Sequence, residues 1–312
     1  MTITPVIETH HLTKRYGRFT ALNELNLSIA PGTLYGFIGP NGAGKTTTLR
    51  MLAGLLEPSS GQIRLGGQEI SHDVAAARWL VGYMPDFFGV YEDMKVWEYL
   101  DFFARCYQLD SSQRRRVVNE LLELVDLADR RDAWVESLSR GMRQRLCLAH
   151  ALVHDPQILL LDEPASGLDP RARIEMRELL KELSGMGKTI IISSHILAEL
   201  AEMCHQVGII EHGRLLYSGP PQQINNSPHQ RQLRLRTLTS AEAVEAAFQS
   251  YLGVTEFQFD EAGWRVSFSG EDEALAGLLA HLIAHQIPVI HFSEESSDLE
   301  DVFLQITTGE VR

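Results

Sequence analysis

Eight consecutive residues, Gly39-Pro40-Asn41-Gly42-Ala43-Gly44-Lys45-Thr46, carry the strongest chemical signal in the chain. They fit the pattern G-x-x-x-x-G-K-[ST], which requires a strand before it and a helix after it. In that setting the backbone N–H groups of Asn41 to Thr46 curl around phosphate oxygens, and the helix N-terminus adds a favourable dipole. Gly42 and Gly44 let the backbone approach closely. Lys45 neutralises charge on a β- or γ-phosphate, and the Thr46 hydroxyl is a ligand for Mg2+. Taken alone, the pattern argues for a nucleoside triphosphate site and nothing more specific. The alternative is a glycine-rich turn that matches by chance.

A second signal is Asp162-Glu163, reached through the apolar run Ile158-Leu159-Leu160-Leu161. Side chains alternate along a strand, so two adjacent acids at its end cannot share one task. Asp162 is placed to hold Mg2+ through water. Glu163 is placed as general base for the water that attacks a γ-phosphate. The alternative, two solvated acids at a strand end, is reasonable for the pair alone; the upstream phosphate loop argues against it. His195 follows another apolar run, Thr189 to Ser193. A lone histidine there is more often structural, and its value comes from register, because a nucleotide-binding core brings that strand end near the phosphates.

The elements that must position these residues are legible in the pattern. The first thirty residues alternate apolar and polar, as in Leu25-Asn26-Leu27-Ser28-Ile29, which predicts an antiparallel edge sheet. Pro31-Gly32 is a turn. Leu34 to Ile38 is an apolar strand, and a helix is expected from Lys45 to Leu55. From Val96 to Leu152 the period becomes helical, which predicts an all-helical insertion. Ile158–Leu161 and Thr189–Ile192 read as buried parallel strands, with helices at about Pro170–Ser184 and Ile196–Cys204. A hairpin through Val207–Ile210 and Arg214–Tyr217 turns at His212-Gly213. Residues 223–230, rich in Asn and Gln, read as a linker. Beyond it the expected order is strand (Arg231–Arg236), helix (Ala241–Leu252), strand (Val254–Phe259), strand (Trp264–Phe268), helix (Ala274–Gln286), strand (Ile287–Phe292) and short helix (Asp298–Ile306). That β-α-β-β-α-β run predicts a small α+β, ferredoxin-like domain over 231–312.

Composition narrows the partners. The net charge of −13 argues against nucleic acid, since polyanions attract basic surfaces. Residues 231–312 hold 5 Arg, no Lys and 14 Asp or Glu, so most of the excess charge lies there. Such a surface also avoids anionic lipid headgroups. Cys106, Cys147 and Cys204 are far apart and form no CxxC pair, which fits a reducing compartment rather than a zinc site or disulfide framework. No secretory leader is expected, because no apolar core follows a basic cap at the start. Ala274 to Ser293 contains no Asp, Glu, Lys or Arg, yet its histidines and Pro288 argue for a helix and a strand instead of a membrane span.

In order and spacing, several motifs together resemble the ABC ATPases over about residues 6 to 222: the phosphate loop, the helical insertion, Leu138-Ser139-Arg140-Gly141-Met142, Ile158 to Pro164, Ser166-Gly167-Leu168-Asp169 and Ser194-His195. The resemblance implies an α/β P-loop NTPase fold over 1–222, with a RecA-like core, an antiparallel β subdomain and a helical subdomain at about 90–152. It implies ATP and Mg2+ as ligands, with ATP bound by Tyr16 stacking on adenine and by Gly39, Pro40, Asn41, Gly42, Ala43, Gly44, Lys45, Thr46 and Thr47. Thr46, Asp162 and Asp86 would be the metal side, and Glu163 and His195 the catalytic pair. Ser139, Arg140, Gly141 and Met142 match the signature that meets the ATP of an opposite subunit, and Asp169 matches the loop that senses that subunit.

Two positions depart from the family pattern. The signature is LSRGM in place of LSGGQ, with Arg140 at the first glycine. Asp86, in Gly82-Tyr83-Met84-Pro85-Asp86, replaces the glutamine of the loop that couples to the membrane subunit. Both departures, with Leu299 to Leu304 near the C-terminus, resemble single-cassette bacterial export-type ATPases that carry a C-terminal accessory domain. The implied partners are a second cassette, identical or related, and a separate integral-membrane permease. The implied location is the inner face of the cytoplasmic membrane, reached from the cytoplasm through the permease. A non-transport regulatory ATPase of the same family is the alternative reading.

Overall fold

The computed structural model describes residues 4–71, 74–87, 89, 93–224, 231–260 and 263–295. The chain divides into two compact units, Met1–Pro221 and Gln222–Arg312. The first contains two sheets and a set of helices. Strands β1 (Ile7–Tyr16), β2 (Phe19–Ile29), β4 (Ser60–Leu65) and β5 (Gln68–Glu69) form an antiparallel sheet in the order β2-β1-β4-β5. Alternation in β2 buries Leu25, Leu27 and Ile29 and leaves Asn26 and Ser28 outside, the half-buried pattern expected of such a sheet.

The second sheet runs β10-β9-β3-β8-β7-β6. Its strands are β3 (Leu34–Ile38), β6 (Val81–Met84), β7 (Ile158–Asp162), β8 (Thr189–Ser194), β9 (Gln206–Glu211) and β10 (Arg214–Gly219). All pair in parallel except β10, which returns antiparallel to β9 through His212-Gly213, both at positive φ as a tight hairpin turn requires. Every residue of β3, β7 and β8 is buried, consistent with strands covered on both faces. Each large apolar side chain buried there contributes about 1.5–3 kcal/mol.

The order β3-β8-β7 decides the site. Ile38 pairs with Ser194, and Asp162 pairs with Ser193. The segments that follow these strands therefore leave the sheet side by side at its carboxyl edge, where ligands bind in open α/β sheets. The loop after β3 leads into α1 (Lys45–Leu52), and α2 (Val74–Leu80) precedes β6. The insertion holds α3 (Val96–Cys106), α4 (Ser111–Leu124) and α5 (Arg140–Leu152); a capping box at Asp110/Gln113 starts α4, and at the start of α3 Glu98 accepts the Lys95 N–H. Helix α6 (Pro170–Gly185) opens with proline at its first position. Helix α7 (Leu197–Ala201) stops three residues before the expected end at Cys204 and gives way to β9.

The second unit contains β11 (Arg231–Thr237), α8 (Ala241–Gln249), β12 (Val254–Asp260), β13 (Gly263–Phe268), α9 (Asp272–Ala284) and β14 (Val289–Glu295). Its antiparallel sheet has the order β12-β13-β11-β14. Trp264, Phe248, Phe268, Leu233, Leu278 and Leu282 form its core. Helix α9 starts at Asp272, earlier than expected, because Asp272 and Glu273 suit a first turn. Ile287 is buried in the core ahead of the strand. The expected helix at 298–306 lies outside the described residues. Among the described residues no helix is long and apolar enough to cross a membrane.

Candidate active site

The phosphate loop is a turn between a buried strand and a helix. Gly44, at φ 109°, caps α1 in a backbone conformation that side chains disfavour, and Gly42 at φ 81° does the same earlier in the loop. Lys45 is only 7% exposed. Its ammonium donates to the carbonyls of Gly39 (2.5 Å) and Pro40 (3.2 Å) and lies 3.8 Å from the Glu163 carboxylate. Burial lowers its pKa, while the charges of Glu163 and Asp162 work against that shift. Thr46 and Thr47 are half-buried at the head of α1, and Asn41 and Gly42 are exposed.

Asp162 and Glu163 separate as the strand alternation requires. Asp162 is 1% exposed, and its Oδ1 accepts a 2.6 Å bond from the Ser193 hydroxyl. Its Oδ2 is buried and has no protein partner. A carboxylate oxygen left so costs about 1–3 kcal/mol or more unless something satisfies it. An unpartnered anionic oxygen beside a phosphate loop is the donor a hard divalent cation takes, so these residues fit Mg2+. Ser193 also accepts the Glu163 N–H at 3.0 Å, so one hydroxyl fixes both acids. Glu163 itself has φ 50°, a strained setting for a non-glycine residue and common at functional sites. Its two carboxylate oxygens lie 3.3 and 3.1 Å from Nδ1 of His195.

Lys45, Asp162 and Glu163 face one cleft of about 280 Å3, lined also by Tyr16, Phe19, the rest of the loop from Pro40 to Thr47 and Asp86; His195 lies outside that lining, in a neighbouring cavity that it shares with Glu163 and Ser193. Tyr16 is half-exposed, with the Lys14 ammonium 5.4 Å from its ring centre. Asp86 enters the cleft from the segment after β6. Ser139 stands elsewhere: it caps α5, accepting the Met142 N–H at 3.3 Å. None of Ser139, Arg140, Gly141 and Met142 lines the cleft of its own chain, and neither does Asp169, which caps α6 through Arg171 and Ala172. Sequence reasoning missed Ser193 and Phe19. A serine at the end of an otherwise apolar buried strand was the available signal for the first.

The ABC transporter family matches residues 22–166. Nod factor export ATP-binding protein I of Ralstonia nicotianae is 36% identical over 99% of this chain and 96% of its own length. A solved ATP binding subunit of an ABC transporter is 30% identical, with a TM-score of 0.64 over 70% of this chain and 91% of the other. A second, cbiO1 from Clostridium perfringens, part of the ABC transporter complex cbiONQ, is 28% identical, with a TM-score of 0.65 over 72% of this chain and 92% of the other. The chain belongs to the ATP-binding subunits of ABC transporters, which have the α/β P-loop NTPase fold and hydrolyse ATP to power transport. The regulatory, non-transport alternative is not favoured by these likenesses.

Proposed function

We propose that this chain powers export through a separate integral-membrane permease, and that two cassettes close face to face around ATP to do so. The observation that carries the reading is the division of the site. The cleft holds Lys45, Asp162 and Glu163 but none of the signature residues of its own chain. A second cassette supplying Ser139 and Gly141 at the end of α5 completes the contacts to the γ-phosphate. The α5 N-terminus suits that task, since free N–H groups and a positive dipole end attract phosphate.

The chemistry follows from the cleft. Tyr16 offers a face for adenine. The N–H groups of Asn41 to Thr46 and the Lys45 ammonium hold the phosphates, with Gly39, Pro40, Ala43 and Thr47 shaping the turn. Glu163 takes the proton of the attacking water, and His195, 3.1 Å from its carboxylate, orients it toward the γ-phosphate. Thr46 and Asp162, with Asp86, would hold Mg2+, which neutralises phosphate charge when bound. Loss of the γ-phosphate contacts then lets the pair open, and that motion is what the permease uses. Asp169 of each cassette senses the other. Asp86, in the coupling loop, faces the permease side as well as the cleft. The export-type name of the relative and the Arg140 and Asp86 departures support outward movement of cargo. The unit from Gln222 onward reads as a ferredoxin-like accessory domain. The chain is then peripheral, held at the inner face of the membrane by its permease.

Replacing Glu163 with Gln tests the core of this. Turnover falls by roughly 10^2 to 10^4, measured as phosphate release, while ATP-dependent dimerisation strengthens in size-exclusion chromatography. Near-normal turnover in that variant removes Glu163 from the role.

A further inference from the structure

Arg140 occupies the signature position where the family usually has glycine, and its side chain has a defined seat. Its Nη2 donates to the carbonyl of Ser166 at 3.0 Å. A Cβ atom at Gly167 would run into the Arg140 Cζ and both terminal nitrogens, so the guanidinium lies directly on the open face of that glycine. Gly167 is at φ 65°, which holds the face in place. Next along α5, Gly141 brings the helix onto the first turn of α6, where a Cβ would stand 3.3 Å from that of Ala172. The other side of the same loop is gripped too. Arg173 donates to the Leu168 carbonyl at 3.4 Å and pairs with Glu199 on α7 at 2.5 Å.

We propose that Arg140 is a positioning residue that clips the signature helix to the loop Ser166-Gly167-Leu168-Asp169 of its own subunit, so that Ser139 and Asp169 reach a partner cassette as one rigid piece. A planar guanidinium fits the seat, lying on Gly167 while one terminal nitrogen donates to the Ser166 carbonyl. A glycine at 140 has no reach, and lysine lacks the flat face that rests on Gly167. The peptide between Ser139 and Arg140 transmits the constraint, because Ser139 caps the helix whose first residue is Arg140. Without the clip, the serine and the aspartate must be ordered separately when two cassettes close, and closure needs more ATP.

The inference rests on the two-cassette reading, so the experiment separates the two. In a Glu163→Gln parent, the ATP concentration for half-maximal dimerisation is measured for Arg140→Met, Arg140→Lys, Gly167→Asn and the Arg140→Met/Gly167→Asn pair. Asparagine tolerates positive φ, and its side chain displaces the guanidinium. Melting temperatures serve as the folding control. Each of Arg140→Met and Gly167→Asn raises the required ATP by about tenfold, the loss of one charge-assisted hydrogen bond. The pair adds nothing further, and Arg140→Lys recovers little. Unchanged ATP dependence in Arg140→Met overturns the clip. So does additivity in the pair, which places Arg140 on the partner's nucleotide instead of on Gly167. A parent that stays monomeric with ATP overturns the two-cassette reading alone. The same cycle is then read from steady-state turnover in the unmodified background, where non-additivity supports the clip and additivity rejects it.

Discussion

The phosphate-loop unit and the C-terminal unit treat buried polar groups in opposite ways. In the first, Lys45 and Asp162 are buried, one Asp162 oxygen has no partner, and Glu163 sits in a strained backbone setting. In the second, the described core is apolar throughout, built on Trp264, Phe248 and Phe268. Its charges are paired on the surface instead, as in Arg231 with Asp272 and Glu294, and Arg234 with Asp260. The first arrangement is costly for stability and useful for binding a triphosphate. The second is ordinary packing. The unsatisfied oxygen of Asp162 stands in the cleft beside Lys45 and Glu163, where binding a charged ligand explains its cost; the core of the second unit has only packing to serve.

Three experiments probe that contrast, beginning with the largest effect. Trp264→Ala should destabilise the C-terminal unit by about 3–5 kcal/mol, through lost burial and a cavity. Denaturant unfolding followed by circular dichroism reports this. ATP turnover should hold, and a parallel collapse of turnover would show that the two units are not energetically separate. His150, stacked on Phe103 in the first unit, comes next. Burial, with His154 nearby, depresses its pKa from 6.5 to about 4. The unfolded chain therefore binds the proton first, and stability falls as pH drops from 6.5 toward 4. With its partial exposure discounted, the loss is about 2 kcal/mol. His150→Phe should flatten that part of the stability–pH curve, and an unchanged slope would assign it to other groups. Ser193→Ala should have the smallest effect, roughly 1–2 kcal/mol in unfolding free energy, because it takes the remaining protein partner from buried Asp162. Turnover should fall alongside, since Glu163 loses its backbone anchor. A loss of stability with full activity would separate Ser193 from the catalytic geometry.

Local chemistry made much of the cassette legible. The phosphate loop announces itself because only glycines permit its turn and only a lysine at that spacing reaches the phosphates. The acids at 162 and 163 follow a short, wholly apolar run, the pattern of a strand covered on both faces. Short elements were not legible. Strand β6 has four residues, one of them Gly82, and β5 has two, too few for a period to register. The early start of α9 depended on dipole effects that apolar periodicity does not capture.

The sequence by itself determined where the glycine-rich loop ends on Lys45, which acids stand together at a strand end, and that the motif from Leu138 to Met142 accompanies them, because each depends on neighbours a few positions away. Only the tertiary structure decided that β8 lies between β3 and β7. That order sets Ser193 against Asp162 and puts His195 within reach of Glu163, while the docking of α5 against the start of α6 gives Arg140 its seat on Gly167. Contacts across 26 to 32 positions are fixed by strand order and helix docking, which long-range packing selects and no local pattern encodes.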